Sequence, residues 1–195
     1  RQMCIRDSVS IFGGQITGNY SEEAGGGVYV TDVGRNDKPR TGMAWLHITG
    51  GIIASNVSYQ SEGAGIRVGQ MVDATIGDAT SSKVYITNNH CMSRFDWGGG
   101  GIFVQGNSDA GKEKTAGRLF VYNSYISSNT AGGYGGGVAV CPTGKTLVTN
   151  TNGTAIFGNS SAGSEQNAID YKPADGKYNN GTPHLSAGGA EGFDK

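Results

Sequence analysis

An eleven-residue stretch that occurs three times along the chain decides how the rest of the sequence is interpreted. Its copies align without a gap, as Val9-Ser-Ile-Phe-Gly-Gly-Gln-Ile-Thr-Gly-Asn19, Leu46-His-Ile-Thr-Gly-Gly-Ile-Ile-Ala-Ser-Asn56 and Leu119-Phe-Val-Tyr-Asn-Ser-Tyr-Ile-Ser-Ser-Asn129. Apolar residues recur at the first, third and eighth positions of every copy. Shorter versions end at Ile86-Thr-Asn-Asn89 and Ile156-Phe-Gly-Asn159, so an I-x-x-N element occurs roughly every 30 to 40 residues, which is typical of a repeat protein.

A glycine-rich motif follows each of the first four I-x-x-N elements. It is found as Gly25-Gly-Gly-Val-Tyr-Val30, Gly63-Ala-Gly-Ile-Arg-Val68, Gly99-Gly-Gly-Ile-Phe-Val104 and Gly135-Gly-Gly-Val-Ala-Val140, and the fifth repeat has only Asn167-Ala-Ile-Asp-Tyr171. Apolar residues alternate over three to five positions and are bounded by Gly and Asn, which indicates short strands and no helix. Each repeat therefore predicts about three strands.

Because every repeat returns in the same order, equivalent strands are expected to stack in parallel at about 4.8 Å. The prediction is an all-β chain, a right-handed parallel β-helix (solenoid) of about five coils over residues 9–171, since parallel crossovers are right-handed in about 98% of cases. Two rows of side chains are predicted to stack inward: Val28, Ile66, Ile102 and Val138, and Ile16, Ile53, Ile86, Ile126 and Ile156. Residues 31–44, 69–83, 105–118 and 141–153 are predicted to be loops on one side.

The two ends of the chain differ from the repeats. Residues 1–8, Arg-Gln-Met-Cys-Ile-Arg-Asp-Ser, resemble the translated adaptor tag of reading frames from environmental shotgun assemblies. They are treated as a non-native tag on a metagenomic fragment, and the natural protein is expected to extend upstream. Residues 172–195 form a polar, Gly-rich tail or the start of a further loop.

Composition argues against several classes of partner. Glycine accounts for 35 of 195 residues, and 15 basic and 16 acidic residues give a net charge of −1 without a basic block. Nucleic acid and membrane insertion are therefore not expected. Cys91 and Cys141 have no metal-binding spacing and are expected to be buried or free thiols, while His47, His90 and His184 lie in separate segments. No metal, cofactor or catalytic residue is predicted.

The repeated asparagines are predicted to have a structural role. Asn tolerates left-handed backbone geometry at the end of a strand, and Asn side chains on successive coils form hydrogen-bonded amide ladders. The predicted ladder comprises Asn19, Asn56, Asn89, Asn129 and Asn159.

The outward positions of the glycine-led strands form the candidate ligand-contact edge. They read Tyr29, Arg67, Phe103 and Ala139 from coil to coil. Further aromatic and acidic residues lie at the adjoining corner: Tyr20, Glu22, Glu23, Tyr59, Glu62, Phe95, Asp96, Trp97 and Tyr134. Aromatic faces and carboxylates along a rigid edge suit a sugar chain or a cation, and the alternative is ordinary packing of large side chains over a glycine-rich corner.

The alternation of I-x-x-N with G-G-G-[IV] resembles the repeat of the chlamydial polymorphic outer-membrane proteins, whose passengers repeat G-G-A-I and F-x-x-N. It is also similar to the wider class of right-handed β-helix surface proteins with the pectin-lyase-like fold. The likeness covers residues 9–170, with Ile at most places where that family has Phe. It implies an adhesin-like passenger, secreted or at the bacterial cell surface, that contacts a carbohydrate or a host surface.

The rival interpretation is an enzyme, because pectate lyases, pectin lyases and polygalacturonases resemble this architecture too. Those families carry paired Asp residues with Arg or Lys on one sheet. Here the outward row contains no carboxylate, Asp32 is the one acid directly after the glycine-led strands, and Asp73, Asp78 and Asp109 are expected in loops. A non-catalytic module is favoured, with a polysaccharide lyase or glycoside hydrolase as the alternative. A plain structural spacer fits equally well, and the oligomeric state stays open.

Overall fold

Every regular element of the described chain is a β-strand. The computed structural model describes residues 8–32, 44–80, 82–93, 98–107, 115–133, 135–141, 143–148, 153–162 and 185–186, and these contain no α-helix. The first two rungs are β1 (Ser8–Ile11), β2 (Gln15–Thr17), β3 (Tyr20–Ser21), β4 (Val28–Val30), β5 (Ala44–Ile48), β6 (Gly51–Ala54), β7 (Val57–Ser58) and β8 (Ile66–Val68). The next two are β9 (Val72–Ile76), β10 (Val84–Thr87), β11 (His90–Cys91), β12 (Ile102–Val104), β13 (Arg118–Val121), β14 (Ser124–Ser127), β15 (Thr130–Ala131) and β16 (Val138–Val140). The last strands are β17 (Lys145–Val148), β18 (Ala155–Phe157), β19 (Ser160–Ser161) and β20 (Leu185–Ser186).

Equivalent strands of successive rungs form four five-stranded sheets. The first sheet has the order β1-β5-β9-β13-β17, the second β2-β6-β10-β14-β18, the third β3-β7-β11-β15-β19 and the fourth β4-β8-β12-β16-β20. All neighbours pair in parallel except β20, which lies antiparallel to β16. The prediction of an all-β chain with parallel strands stacked over about five rungs is confirmed, and the arrangement is consistent with a parallel β-helix.

Each rung has four strands, one more than the sequence predicts. The additional strands form the third sheet and have only two residues each, such as Val57–Ser58 and His90–Cys91. Two residues are too short to produce an alternation of apolar and polar positions. The sequence pattern therefore gave no signal for this sheet.

Two predicted loops contain strands of the first sheet. β9 lies within 69–83 and β17 within 141–153. The gapless alignment missed them because residues 77–83 and 149–154 separate these strands from the second strand of their rung. The longer connections therefore fall at two positions in the strand order: residues 31–43 and 105–117 follow a fourth-sheet strand, and 77–83 and 149–154 follow a first-sheet strand.

Aliphatic side chains fill the interior between the sheets. Both predicted inward rows pair in register, so that Ile53 of one rung lies on Ile86 of the next, and Ile66 lies on Ile102. These residues belong to one hydrophobic cluster, against which the terminal Ile16 and Ile156 pack only partly buried. Full burial of each such side chain contributes about 1.5–3 kcal/mol.

Asparagine side chains form a continuous hydrogen-bonded ladder at the corner between the second and third sheets. The backbone N–H and Nδ2 of Asn56 both donate to Oδ1 of Asn89, at 3.1 and 2.9 Å, and Asn89 donates in the same way to Asn129. Each of these two amides also donates a second hydrogen bond from Nδ2 to a backbone carbonyl oxygen of the preceding rung, as from Asn89 Nδ2 to the carbonyl oxygen of Ile53 at 3.0 Å. Asn19 and Asn159 are the two ends of this ladder.

The left-handed backbone at this corner lies one residue earlier than the sequence suggested. The residue before each ladder asparagine has a φ between 55° and 69°, and these residues are Gly18, Ser55, Asn88, Ser128 and Gly158. The asparagines themselves are absent from the positive-φ residues of the described chain. The recurrence of asparagine at this position in every repeat thus follows from side-chain hydrogen bonding.

The glycine-rich motif packs directly against the ladder. A Cβ on Gly65, the third residue of its run, would lie 2.4 Å from the carbonyl oxygen of Gly101 and 2.9 Å from Nδ2 of Asn89. Gly101 stands in the same relation to Gly137 and Asn129. The residue before the inward Ile or Val of each glycine-led strand must therefore lack a side chain, and the two sequence motifs form one structural unit.

Two neighbouring isoleucines of β6 provide a matched test of the inward assignment. Ile53 is 2% exposed and Ile52 is half-buried on the outer face. We expect Ile53→Ala to lower the free energy of unfolding by about 2–5 kcal/mol because it leaves a cavity in the core. Ile52→Ala is expected to cost less than about 1 kcal/mol. Urea unfolding of the full chain measures both, and equal losses would contradict the assignment.

A second matched pair tests the asparagine ladder. Asn89→Ala removes a donor and an acceptor that pair with Asn56, Asn129 and Ile53, leaving buried polar groups without partners. We expect it to cost about 3 kcal/mol or more. Asn19→Ala removes a single side-chain bond at the exposed end of the ladder and is expected to cost about 1 kcal/mol. Thermal unfolding that ranks the two variants the other way would refute a cooperative ladder.

Candidate functional site

An arginine between two aromatic rings forms the centre of the predicted ligand-contact edge. Tyr29, Arg67 and Phe103 are direct neighbours on β4, β8 and β12. The Arg67 Cζ lies 4.8 Å from the centroid of the Tyr29 ring and 5.9 Å from that of Phe103, distances at which cation–π attraction operates. Arg67 Nη1 also donates a hydrogen bond of 2.6 Å to the Tyr29 hydroxyl.

A buried carboxylate completes this arginine cluster. Glu62 Oε2 lies 3.5 Å from Arg67 Nη2, and the two side chains are 10% and 12% exposed. The Ser61 hydroxyl hydrogen-bonds to the same carboxylate. Arg67 Nε is buried and has no hydrogen-bond partner among the described residues. The guanidinium is thus held by its neighbours, and Tyr29, which is 46% exposed, is the part of the cluster that faces solvent most.

Two corner tyrosines add exposed aromatic surface at the third sheet. The rings of Tyr20 and Tyr59 have centroids 6.3 Å apart. Glu22 accepts a 2.9 Å hydrogen bond from the Tyr20 hydroxyl and a 2.8 Å bond from Gln60 Nε2. The Glu22 carboxylate therefore orients the Tyr20 ring and the Gln60 amide.

The far end of the predicted row is closed to ligands. Phe103 is 1% exposed and Ala139 is fully buried, and with Cys141 they form a second apolar cluster outside the main core. The alternation of inward and outward residues along the sequence predicts which side of the strand Phe103 and Ala139 occupy, but it carries no information about what covers that side. Asp96, Trp97 and Tyr134, with Phe95, lie outside the described residues.

Asp73 is in a strand, where the sequence placed it in a loop. It lies on the outer face of β9 and faces Arg118 of β13 in direct register. Arg118 Nε donates a 2.6 Å hydrogen bond to Asp73 Oδ1, and Nη2 hydrogen-bonds to Oδ2. The hydrogen bond with the Asp73 carboxylate is the main cause of the raised pKa of Arg118. Asp78 accepts a bond from the backbone of Thr80, and Asp109 lies outside the described residues.

Sequence reasoning also missed outward-facing aromatic residues on two other sheets. Trp45 lies outward on the first sheet, and Tyr85, Tyr125 and Phe157 form an edge-to-face series on the second, with centroids 5.8 Å apart. Lys83 Nζ lies 4.3 Å from the Tyr125 ring. Alternation within each strand would have identified these outward positions.

The remaining metal-type side chains are dispersed. In the described ranges no group of three or more His, Cys, Asp or Glu side chains is arranged to hold a metal ion. His47 is half-buried on the outer face of β5, His90 contacts the Thr130 hydroxyl, and His184 is outside the described residues. Among those same ranges, no helix has the length and apolar character needed to cross a membrane.

Cys91 is a buried free thiol under the third sheet. Its Sγ donates a hydrogen bond to the carbonyl of Ser61 at 3.3 Å, and it packs with Ala64 and Ala131. Burial raises the pKa of the Cys91 thiol. Cys141 is only partly buried.

No family model, no curated protein and no solved structure matches the chain.

Cys91 and Cys141 are expected to differ in reactivity. Because the thiolate is the reactive form, the raised pKa and the burial of Cys91 slow its alkylation. Iodoacetamide at pH 8, followed by peptide mass mapping, is expected to modify Cys141 well before Cys91. In denaturant both are expected to react at similar rates. Rapid modification of Cys91 in the folded protein would contradict its placement.

Proposed function

We propose that the chain is a right-handed parallel β-helix that acts as a rigid, non-catalytic contact module of a secreted or cell-surface bacterial protein. The parallel register of four sheets over about five rungs supports this fold. The right-handed coiling follows from the general preference of parallel crossovers. The resemblance of its repeats to those of bacterial surface passengers supports the location.

The proposed contact is with carbohydrate, along the edge that contains Tyr20, Tyr29 and Tyr59. The observation that carries it is the arginine cluster, in which Arg67 is fixed between Tyr29 and Phe103 and paired with Glu62. A ring backed by a fixed cation and ion pair keeps one orientation without a ligand, so little side-chain entropy is lost when a sugar ring stacks on it.

The use of the acidic side chains supports a binding role over hydrolysis or elimination. Glu62 is paired with Arg67 and Ser61, and Asp73 is paired with Arg118. Both carboxylates are thus engaged by a neighbouring guanidinium, whereas a general acid or base has to reach the substrate. The polysaccharide-cleaving enzyme therefore ranks second.

A glycan array probed with the full chain tests the proposal. We expect binding to a subset of immobilised glycans, and Tyr29→Ala is expected to weaken it roughly tenfold, the effect of losing one stacked ring. Tyr85→Ala, which removes an exposed ring from the second sheet, is the matched control and is expected to leave edge binding unchanged.

Two results would overturn the proposal. One is equal loss of binding in the two tyrosine variants, which would remove the edge from consideration. The other is the release of new reducing ends from any bound polysaccharide, which would establish the enzyme instead.

A further inference from the structure

A row of outward side chains on the first sheet forms a surface separate from the tyrosine edge. In direct register from rung to rung, it reads Trp45, Asp73, Arg118 and Lys145. Trp45 is 52% exposed, and its neighbour in the row, Asp73, has a short side chain that leaves the indole ring accessible. Lys145, at the other end, is exposed.

Arg118 has a fixed orientation in this row. Its bidentate pair with Asp73 uses Nε and Nη2, and Nη1 makes no hydrogen bond with a described residue. The Arg118 side chain is 42% exposed, compared with 19% for Asp73. The pair therefore presents guanidinium donors to solvent while the carboxylate is largely covered.

The charges of the row favour an anion. The row contains two cations, Arg118 and Lys145, and one carboxylate, Asp73, which is already paired with Arg118. The part of the row formed by these three residues therefore carries a net positive charge. With strands about 4.8 Å apart, Arg118 lies about 10 Å and Lys145 about 14 Å from Trp45 along the stacking direction. The span from ring to cations matches a few linked sugar residues.

We propose that the outer face of the first sheet binds an anionic oligosaccharide along the stacking direction. One sugar ring stacks on Trp45, and the carboxylate or sulfate groups of the following sugars bind Arg118 and Lys145. This site shares no residue with the tyrosine edge, so either one can fail without the other. Nucleic acid fits less well, because binding to it relies on many phosphate contacts and this face offers two cations beside a carboxylate.

Calorimetric titration of the full chain with three hexasaccharides tests this site. The probes are neutral cellohexaose, a hexauronate as the carboxylate form and a heparin-derived hexasaccharide as the sulfate form. We expect at least one anionic probe to bind roughly tenfold more tightly than cellohexaose and to lose affinity as salt rises. Which anionic probe binds more tightly identifies the preferred group.

Point variants locate the binding. Trp45→Ala and Lys145→Ala change exposed side chains and are each expected to weaken anionic binding roughly fivefold to tenfold, with unchanged thermal unfolding. Lys83→Ala removes the same charge from the residue directly before β10, and Tyr29→Ala removes a ring from the tyrosine edge. Neither is expected to change the affinity for the anionic probes.

Three outcomes would overturn the inference. Cellohexaose that binds as tightly as the anionic probes would remove the charge argument. Equal losses from Lys83→Ala and Lys145→Ala would reduce the effect to overall charge. No binding of either anionic probe at roughly millimolar concentration would remove the site altogether, whatever the glycan array shows for the tyrosine edge.

Discussion

The asparagine ladder and the glycine beside it are the constraint on which the rest of the structure depends. Each buried Asn accepts from the rung before it and donates to the rung after it, so a missing member leaves polar groups unpaired on both sides. The ladder fits only because Gly65 and its equivalents carry no Cβ where the amide and the next carbonyl approach. Buried polar groups without partners are costly, so this corner fixes how one rung sits on the next.

A fixed register has opposite consequences on the two sides of the sheets. Inside, it places like aliphatic residues on one another, and the core is a repeated stack whose side chains differ little between rungs. Outside, it makes neighbours of residues that are far apart in sequence. Arg67 meets Tyr29 across 38 residues and Arg118 meets Asp73 across 45. The arginine cluster of the tyrosine edge and the first-sheet row are thus both arranged along the stacking direction.

The parts of the candidate site that were predictable are those that depend on alternation alone. The order Tyr29, Arg67, Phe103 follows from the glycine-led motif, whose copies are easily aligned. The pairing of Asp73 with Arg118 was not predictable in this way, because residues 77–83 interrupt the third repeat and hid β9. Burial of Phe103 and Ala139 was equally hidden, since periodicity assigns a side of the strand and not its accessibility.

The sequence by itself determined the all-β class, the parallel stacking, the number of rungs and the two inward rows, because these follow from short motifs repeated in one order. Only the tertiary structure decided the fourth strand of each rung, the positions of the longer insertions within a rung, and which outward residues meet. Those features depend on where an insertion falls within a rung and on contacts between side chains one rung apart. Neither is encoded in a local period, and both require the register to be known first.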